Sequence, residues 1–361
     1  MLETYFFELI QISLSHKESL SGVPTREQWK GLYDLARRHA IIGVLFPAIE
    51  RLPEVQRPPS DILIGWYAVS EKIKGMNIRL NKQIVWLTDR LQGERMSSCI
   101  LKGQGVALYY PSPLLRSSGD IDIWLGGGRK YVMSFFRSHG LRMGDVVYHH
   151  VDVGIFKDTK VEAHFRPSWL WNPIHNHRLQ KWFKEQATVQ MRNRMPFADS
   201  ESFITCPTRD FNAVFLLIHI YRHLFDEGIG LRQLMDYYYC IIRDGDNTAV
   251  VENLRSFGLL RFASAVMYVF VVAFGLDAAK CIVRPNERLG RQLLREVLLA
   301  GNFGHFDIRL SHDYVVGSLG NLRRKHKRNL KFYFNYPDEL FWEMPFKFWH
   351  YCWRLLVNTK K

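Results

Sequence analysis

Two aspartates one residue apart, Asp120 and Asp122, stand in the otherwise apolar run DIDIWL. Alternation along a strand puts them on one face and Ile121 and Ile123 on the other. Like charges held that close repel unless a cation lies between them. A third acid follows in VEAHF, where Glu162 and His164 share a face opposite Val161, Ala163 and Phe165. Three converging carboxylates can hold two Mg²⁺ ions, because magnesium takes carboxylate oxygen together with substrate phosphate. Two such ions serve nucleotidyl transfer, in which an acceptor hydroxyl attacks the α-phosphorus of an NTP and pyrophosphate leaves. In that chemistry Asp120 and Asp122 bind metal and phosphate and Glu162 completes the metal site. Glu162 or a neighbouring acid would help deprotonate the acceptor. A DxD pair alone is more often two solvated acids than a metal site; the third acid and an upstream glycine turn shift the balance.

That turn is LKGQG, with Lys102, Gly103 and Gly105. Glycines let backbone N–H groups approach a phosphate at the start of a helix. Arg116, just before the aspartates, suits a phosphate or a carboxylate.

The elements that must position these residues form an α+β core between helical regions. SCILKGQGVALYY reads as strand, glycine turn and helix, and DIDIWLG as the next strand. RKYVMSFFRSHGL reads as a helix ending near Gly140. DVVYHHVDVGIF and KVEAHFRP read as strands joined by KDTK. On this pattern residues 1–95 are an N-terminal helical region, 96–206 the small mixed-sheet core, and 207–361 a C-terminal helical region with a basic, aromatic tail. Thr25 caps one N-terminal helix, and Thr208 or Asp210 caps the helix that follows the core.

Here the chain resembles the DNA polymerase β-like nucleotidyltransferase superfamily. It is most similar to a bacterial family of uncharacterised nucleotidyltransferases, through LKGQGVALYYPSPLLRSSGDIDIWL, KVEAHF, HIYRHLFDEGIGLRQLMDYYY and the shorter GNFGHFD. QWKGLYDLARRHAIIGVLFPAI fits the same family. The resemblance implies a minimal nucleotidyltransferase core, Asp120, Asp122 and Glu162 as the acidic triad, two Mg²⁺ ions and an NTP donor. Lys102-Gly103-Gln104 replaces the usual glycine-serine pair that grips the triphosphate, and Lys102 could supply charge in place of the hydroxyl.

Further candidates surround this set. Arg232 and Asp236 are four apart, either as an intrahelical ion pair or with Asp236 holding Arg232 against the phosphates. The resemblance favours the second. His219 and His223 share a helix face without the glutamate of a zinc-protease pattern; they read as packed histidines facing the core, at the border of a nucleotide or acceptor pocket. His150 and Asp152 share a strand face and His149 does not, and all three read as partly exposed strand residues.

Composition bounds the partners. Lys and Arg number 49 against 35 Asp and Glu, and residues 321–361 hold ten bases and three acids. Such a tail suits a polyanion such as RNA, an anionic lipid surface or a phosphorylated substrate. The bland reading is a helix with its aromatic side inward and its bases in water. Five scattered cysteines form neither a disulfide framework nor a zinc ribbon, which points to the reducing cytoplasm. MLETYFFELIQ lacks the basic start of a signal peptide, and FASAVMYVFVVAFGL is a buried helix rather than a membrane span. A catalytically silent nucleotide-binding or RNA-interaction module on the same fold is the alternative. The acceptor could be a sugar, a metabolite, a protein side chain or an RNA end.

Overall fold

A computed structural model of the chain describes residues 1–197, 201–307 and 325–358. The sequence patterns resolve into a five-stranded mixed sheet set among helices. Strands β1 (Ser98–Leu101), β2 (Ile121–Leu125), β3 (Met143–Val146), β4 (His150–Val153) and β5 (Val161–His164) lie in the order β1-β2-β5-β4-β3. β2 and β5 run parallel, and the other pairs are antiparallel. The run DVVYHHVDVGIF is therefore not one strand. It folds back after Val147, because Val146 and Val151 pair across a hairpin while the Tyr148 ring turns away to pack on Trp169 and Phe346.

The strict alternation of side chains decides which face does what. Ile100, Ile121, Ile123, Val151, Val153, Val161 and Ala163 face one core. That core is closed by α6 (Gly128–Ser138), through Val132, Met133 and Phe136, and by Leu80, Ile84, Leu87 and Leu91 of the long helix α4 (Ser60–Gly93). The opposite face carries Asp122, Trp124, Glu162, His164, His150 and Asp152, matched in register across β2, β5 and β4.

Helix α8 (Arg209–Asp226) packs on that polar face, its Phe211 ring stacked at 5.9 Å on Trp124. Thr208 caps it by accepting the N–H of Phe211. Glycine-flanked α9 (Leu231–Ile241) lies against α8. Both join a larger core with α1 (Leu2–Ser13), α2 (Arg26–Arg38), α3 (Ile42–Arg51), α11 (Leu260–Phe274) and α12 (Glu287–Ala300). α2 begins with a capping box between Thr25 and Gln28. α11 is buried, and no described helix is long and apolar enough to cross a membrane.

The C-terminal helix, Glu343–Asn358, packs back on the hairpin, and Asn358 bonds the backbone of Val146. The preceding basic segment departs from the expectation of bases in water. Arg328 is buried and donates to the carbonyls of Leu224, Phe225 and Glu227. It thereby satisfies acceptors that the end of α8 leaves without helical partners. Residues 321–324 and 359–361 of the basic tail lie outside the described residues.

Candidate active site

The site grows from the parallel pairing of β2 and β5. Parallel register sets Asp122 directly opposite Glu162 and Trp124 opposite His164. Asp120 precedes β2 by one residue. β1 ends at Leu101, opposite Asp122, and the chain turns sharply at Lys102 into the single-turn helix α5 (Gly103–Ala107). Lys102 has φ +49° and Gly103 φ +41°. The left-handed backbone is easy for glycine and costly for lysine, and it aims the Lys102 ammonium back at the acids. Lys102 Nζ lies 2.8 Å from Asp122 Oδ1.

The charges are strongly coupled. Burial works against the Lys102 ammonium, but Asp122, Asp120 and Glu162 raise its pKa above the ordinary lysine value. Burial likewise works against the Asp122 carboxylate, yet Lys102 and His164 hold it below the usual range. Glu162 is held far lower, burial being outweighed by His164, His150 and Lys102. Asp120 goes the other way: the charge of Asp122, and then burial, raise it. His164 Nε2 donates to Asp122 Oδ1 at 2.9 Å and reaches Glu162 Oε2 at 3.5 Å. These bonds overcome the effect of burial and raise the His164 pKa.

A buried hydrogen-bond chain fixes the loop that delivers the aspartates. Asp236 of α9 takes the Arg116 guanidinium on both oxygens, at 2.6 and 2.7 Å, together with the Tyr110 hydroxyl at 2.7 Å. Arg116 Nη1 donates to Ser118 Oγ, Ser118 donates to Gln104 Oε1, and Gln104 Nε2 donates to Asn81 of α4. Asn77 of α4 donates to the carbonyls of Leu114 and Arg116. Asp236 thus pairs with Arg116 and not with Arg232, the planar guanidinium fork of Arg116 offering a bidentate match. Both ends of the Gln104 amide are engaged below the loop. Arg232 makes no ion pair among the described residues. It reaches Ser117 O and Asn302 Oδ1 at 3.4 Å and lies over the Phe303 ring. Burial and the nearby Arg116 lower its pKa.

These groups open on a cleft of about 1140 Å³. Lys102, Gly103, Arg116, Asp120, Asp122, Glu162, Arg232 and Asp236 line it, so the structure brings most of the sequence candidates together. His219 and His223 line it too, their rings 4.2 Å apart, with His223 bonded to Glu227 at 3.1 Å. Lys325, Lys347, His350 and Arg354 form a further part of the wall.

Sequence reasoning underrated one group. His149 and His150 are drawn in beside Glu162 and His164, and His150 Nδ1 lies 3.5 Å from Glu162 Oε2. All three are partly exposed, as expected, with the His150 side chain less open than that of Asp152. Their adjacency to Glu162 comes from the β4–β5 register, which strand alternation on β4 alone does not reveal.

The chain matches the model of a family described as uncharacterised nucleotidyltransferase over residues 25–275. A search of curated proteins finds no match. Among solved structures, a nucleotidyltransferase-like antigenic protein from Paracoccidioides brasiliensis is similar at 12% identity and a TM-score of 0.31, covering 53% of this chain and 91% of that one. With the family matched over most of its length, the chain belongs to the uncharacterised nucleotidyltransferases.

Proposed function

We propose that the chain is an Mg²⁺-dependent enzyme of the polymerase β-like type that moves a nucleoside monophosphate from an NTP to an acceptor hydroxyl. The observation carrying this reading is the register of Asp122 with Glu162, with Asp120 one residue before β2, on the wall of a cleft large enough for a triphosphate and an acceptor. The Asp120–Asp122 pair fits magnesium: both offer hard oxygen donors, and the raised pKa of Asp120 records a like-charge repulsion that a dication would relieve. Magnesium held there would neutralise charge building on the phosphates during transfer.

The chain's own residues supply the rest. Lys102 and the Gly103 backbone grip the triphosphate. Arg232, a half-buried cation with long hydrogen bonds and no carboxylate partner among the described residues, receives a phosphate. Arg116, Gln104 and Asp236 act as positioning residues that hold the loop before Asp120. Glu162 or a neighbouring acid takes the proton of the attacking hydroxyl. The hydroxyl oxygen bonds the α-phosphorus as the bond to pyrophosphate breaks. Of the bases on the wall, Lys347 is bridged to Glu343 and Arg354 to Asp145, and Lys325 beside them favours an anionic acceptor. Five unpaired cysteines are in keeping with a cytoplasmic setting.

Calorimetric titration with non-hydrolysable ATP, GTP, CTP and UTP analogues, with and without Mg²⁺, tests the reading. Metal-dependent binding that is lost in Asp120→Asn/Asp122→Asn supports it and names the donor base. No binding of any nucleotide would turn the assignment toward a silent module.

A further inference from the structure

The donors on the Glu162 side do not match magnesium. Magnesium takes oxygen ligands and dehydrates reluctantly, whereas imidazole nitrogen suits borderline transition metals. Around Glu162 Oε2 the structure gathers imidazole nitrogens at ligand-like separations. His150 Nδ1 and His164 Nε2 each lie 3.5 Å from Glu162 Oε2. His149 Nε2 lies 2.9 Å from His150 Nδ1, and Asp122 Oδ1 lies 2.9 Å from His164 Nε2. Ligand atoms about 2.0–2.1 Å from a tetrahedral ion are about 3.3 Å from one another. Three of these separations, 2.9, 3.5 and 3.5 Å, fall on either side of that value, and the nitrogens of His149, His150 and His164 all lie within 4.8 Å of one another.

The cluster lies on the wall of the cleft, with His149, His150 and Glu162 half-buried there. His164 is 1% exposed. The Nδ1 atoms of His149 and His164 are buried with no hydrogen-bond partner among the described residues. Packing and strand register hold the three rings, with centroids 4.2 to 5.1 Å apart. His149 Nε2 and His150 Nδ1 face each other at 2.9 Å, a separation that one shared proton or one cation can bridge.

We propose that His149, His150 and His164, whose ring nitrogens all lie within 4.8 Å of one another, form a binding site for one first-row transition-metal dication, with Glu162 3.5 Å from two of them and beside the magnesium position at Asp120 and Asp122. Metal binding replaces the proton that His164 Nε2 shares with the two carboxylates. The ion's role in transfer rests on the nucleotidyltransferase reading; its binding does not. The enzyme would then carry two unlike cations, one held by carboxylates with the nucleotide and one held by the protein's histidines.

The test uses the full-length protein stripped with chelator. Co²⁺ is titrated and followed by its visible d–d absorption, and Zn²⁺ is titrated by calorimetry, both in millimolar Mg²⁺. The expected result is one tight equivalent that magnesium does not displace. It should weaken at least about tenfold in His149→Ala and in His150→Ala, and persist in Asp120→Asn. His149→Gln and His150→Gln, which keep more of the packed volume, are to give the same loss, and circular dichroism is to show each variant folded. Absent Co²⁺ binding, displacement by magnesium, or histidine variants that bind like wild type would each overturn the site. Nucleotide titration of the same samples reports separately on the transferase reading. Co²⁺ binding without nucleotide binding would leave the metal site and remove the transferase; the reverse would do the opposite.

Discussion

Lys102 Nζ lies 2.8 Å from Asp122 Oδ1, so an ammonium carried by the chain already neutralises one acid of the site. Asp120 receives less of that relief and keeps a raised pKa, first through the charge of Asp122. The acids are therefore unequal before any nucleotide arrives, and single substitutions at them should separate stability from activity.

Asp120→Asn removes a charge that Asp122 opposes. Its melting temperature in the absence of divalent cations should be higher than wild type. Transfer should fall by on the order of 10²–10³-fold, the usual scale for losing one electrostatic group at a transition state. A thermal melt beside a labelled-nucleotide assay checks both. A variant that loses stability, or keeps full activity, would contradict the assignment.

Lys102→Met deletes the built-in cation and leaves three carboxylates facing one another. The variant should melt earlier than wild type in chelator and recover more on adding Mg²⁺, since a cation that binds only the native state stabilises it. An equal magnesium response in the two proteins would show that Lys102 does not screen the acids.

The Arg116–Asp236 pair is buried and bidentate. Arg116→Ala or Asp236→Ala should each cost about 3–5 kcal/mol by leaving one charge unpartnered. The double variant should cost clearly less than the sum. Urea unfolding of the three variants reads the coupling; additivity would mean that the two residues act independently.

His39 gives the fold an acid sensitivity of its own. It is fully buried, accepts the Leu231 N–H on Nδ1 at 3.3 Å and stacks on Phe6. Burial, helped by Arg38, pushes its pKa down to about 3. An unfolded histidine titrates near 6.5. The unfolded chain thus binds the extra proton between those values, and stability falls as pH drops from 6.5 toward 3. His39→Gln should flatten the part of the stability–pH curve between pH 6 and pH 4, a difference of about 2–3 kcal/mol. Melting curves across that range check it; an unchanged slope would place the sensitivity elsewhere.

Local signals carried much of this structure. Thr25 and Thr208 announced their helices because a cap is a relation over three residues. The DID and VEAHF stretches were legible because a strand sorts its side chains by parity. The partner of Asp236 was not legible. Arg232, four residues away on the same helix, was the natural guess, and the true partner lies 120 positions upstream. His149 and His150 were underrated for the same reason. Their proximity to Glu162 depends on which strands pair and in what register, and no periodicity within one strand encodes that. Arg328 looked like surface charge because its acceptors belong to α8.

The helix Glu343–Asn358 supplies Phe346, Lys347, His350 and Arg354 to the cleft. Those residues leave the ribosome long after the strands bearing Asp122 and Glu162. A nascent chain can thus assemble the acid-bearing sheet while one wall of its cleft is still unmade. On this geometry the cleft is complete only when that helix docks on the Tyr148 hairpin.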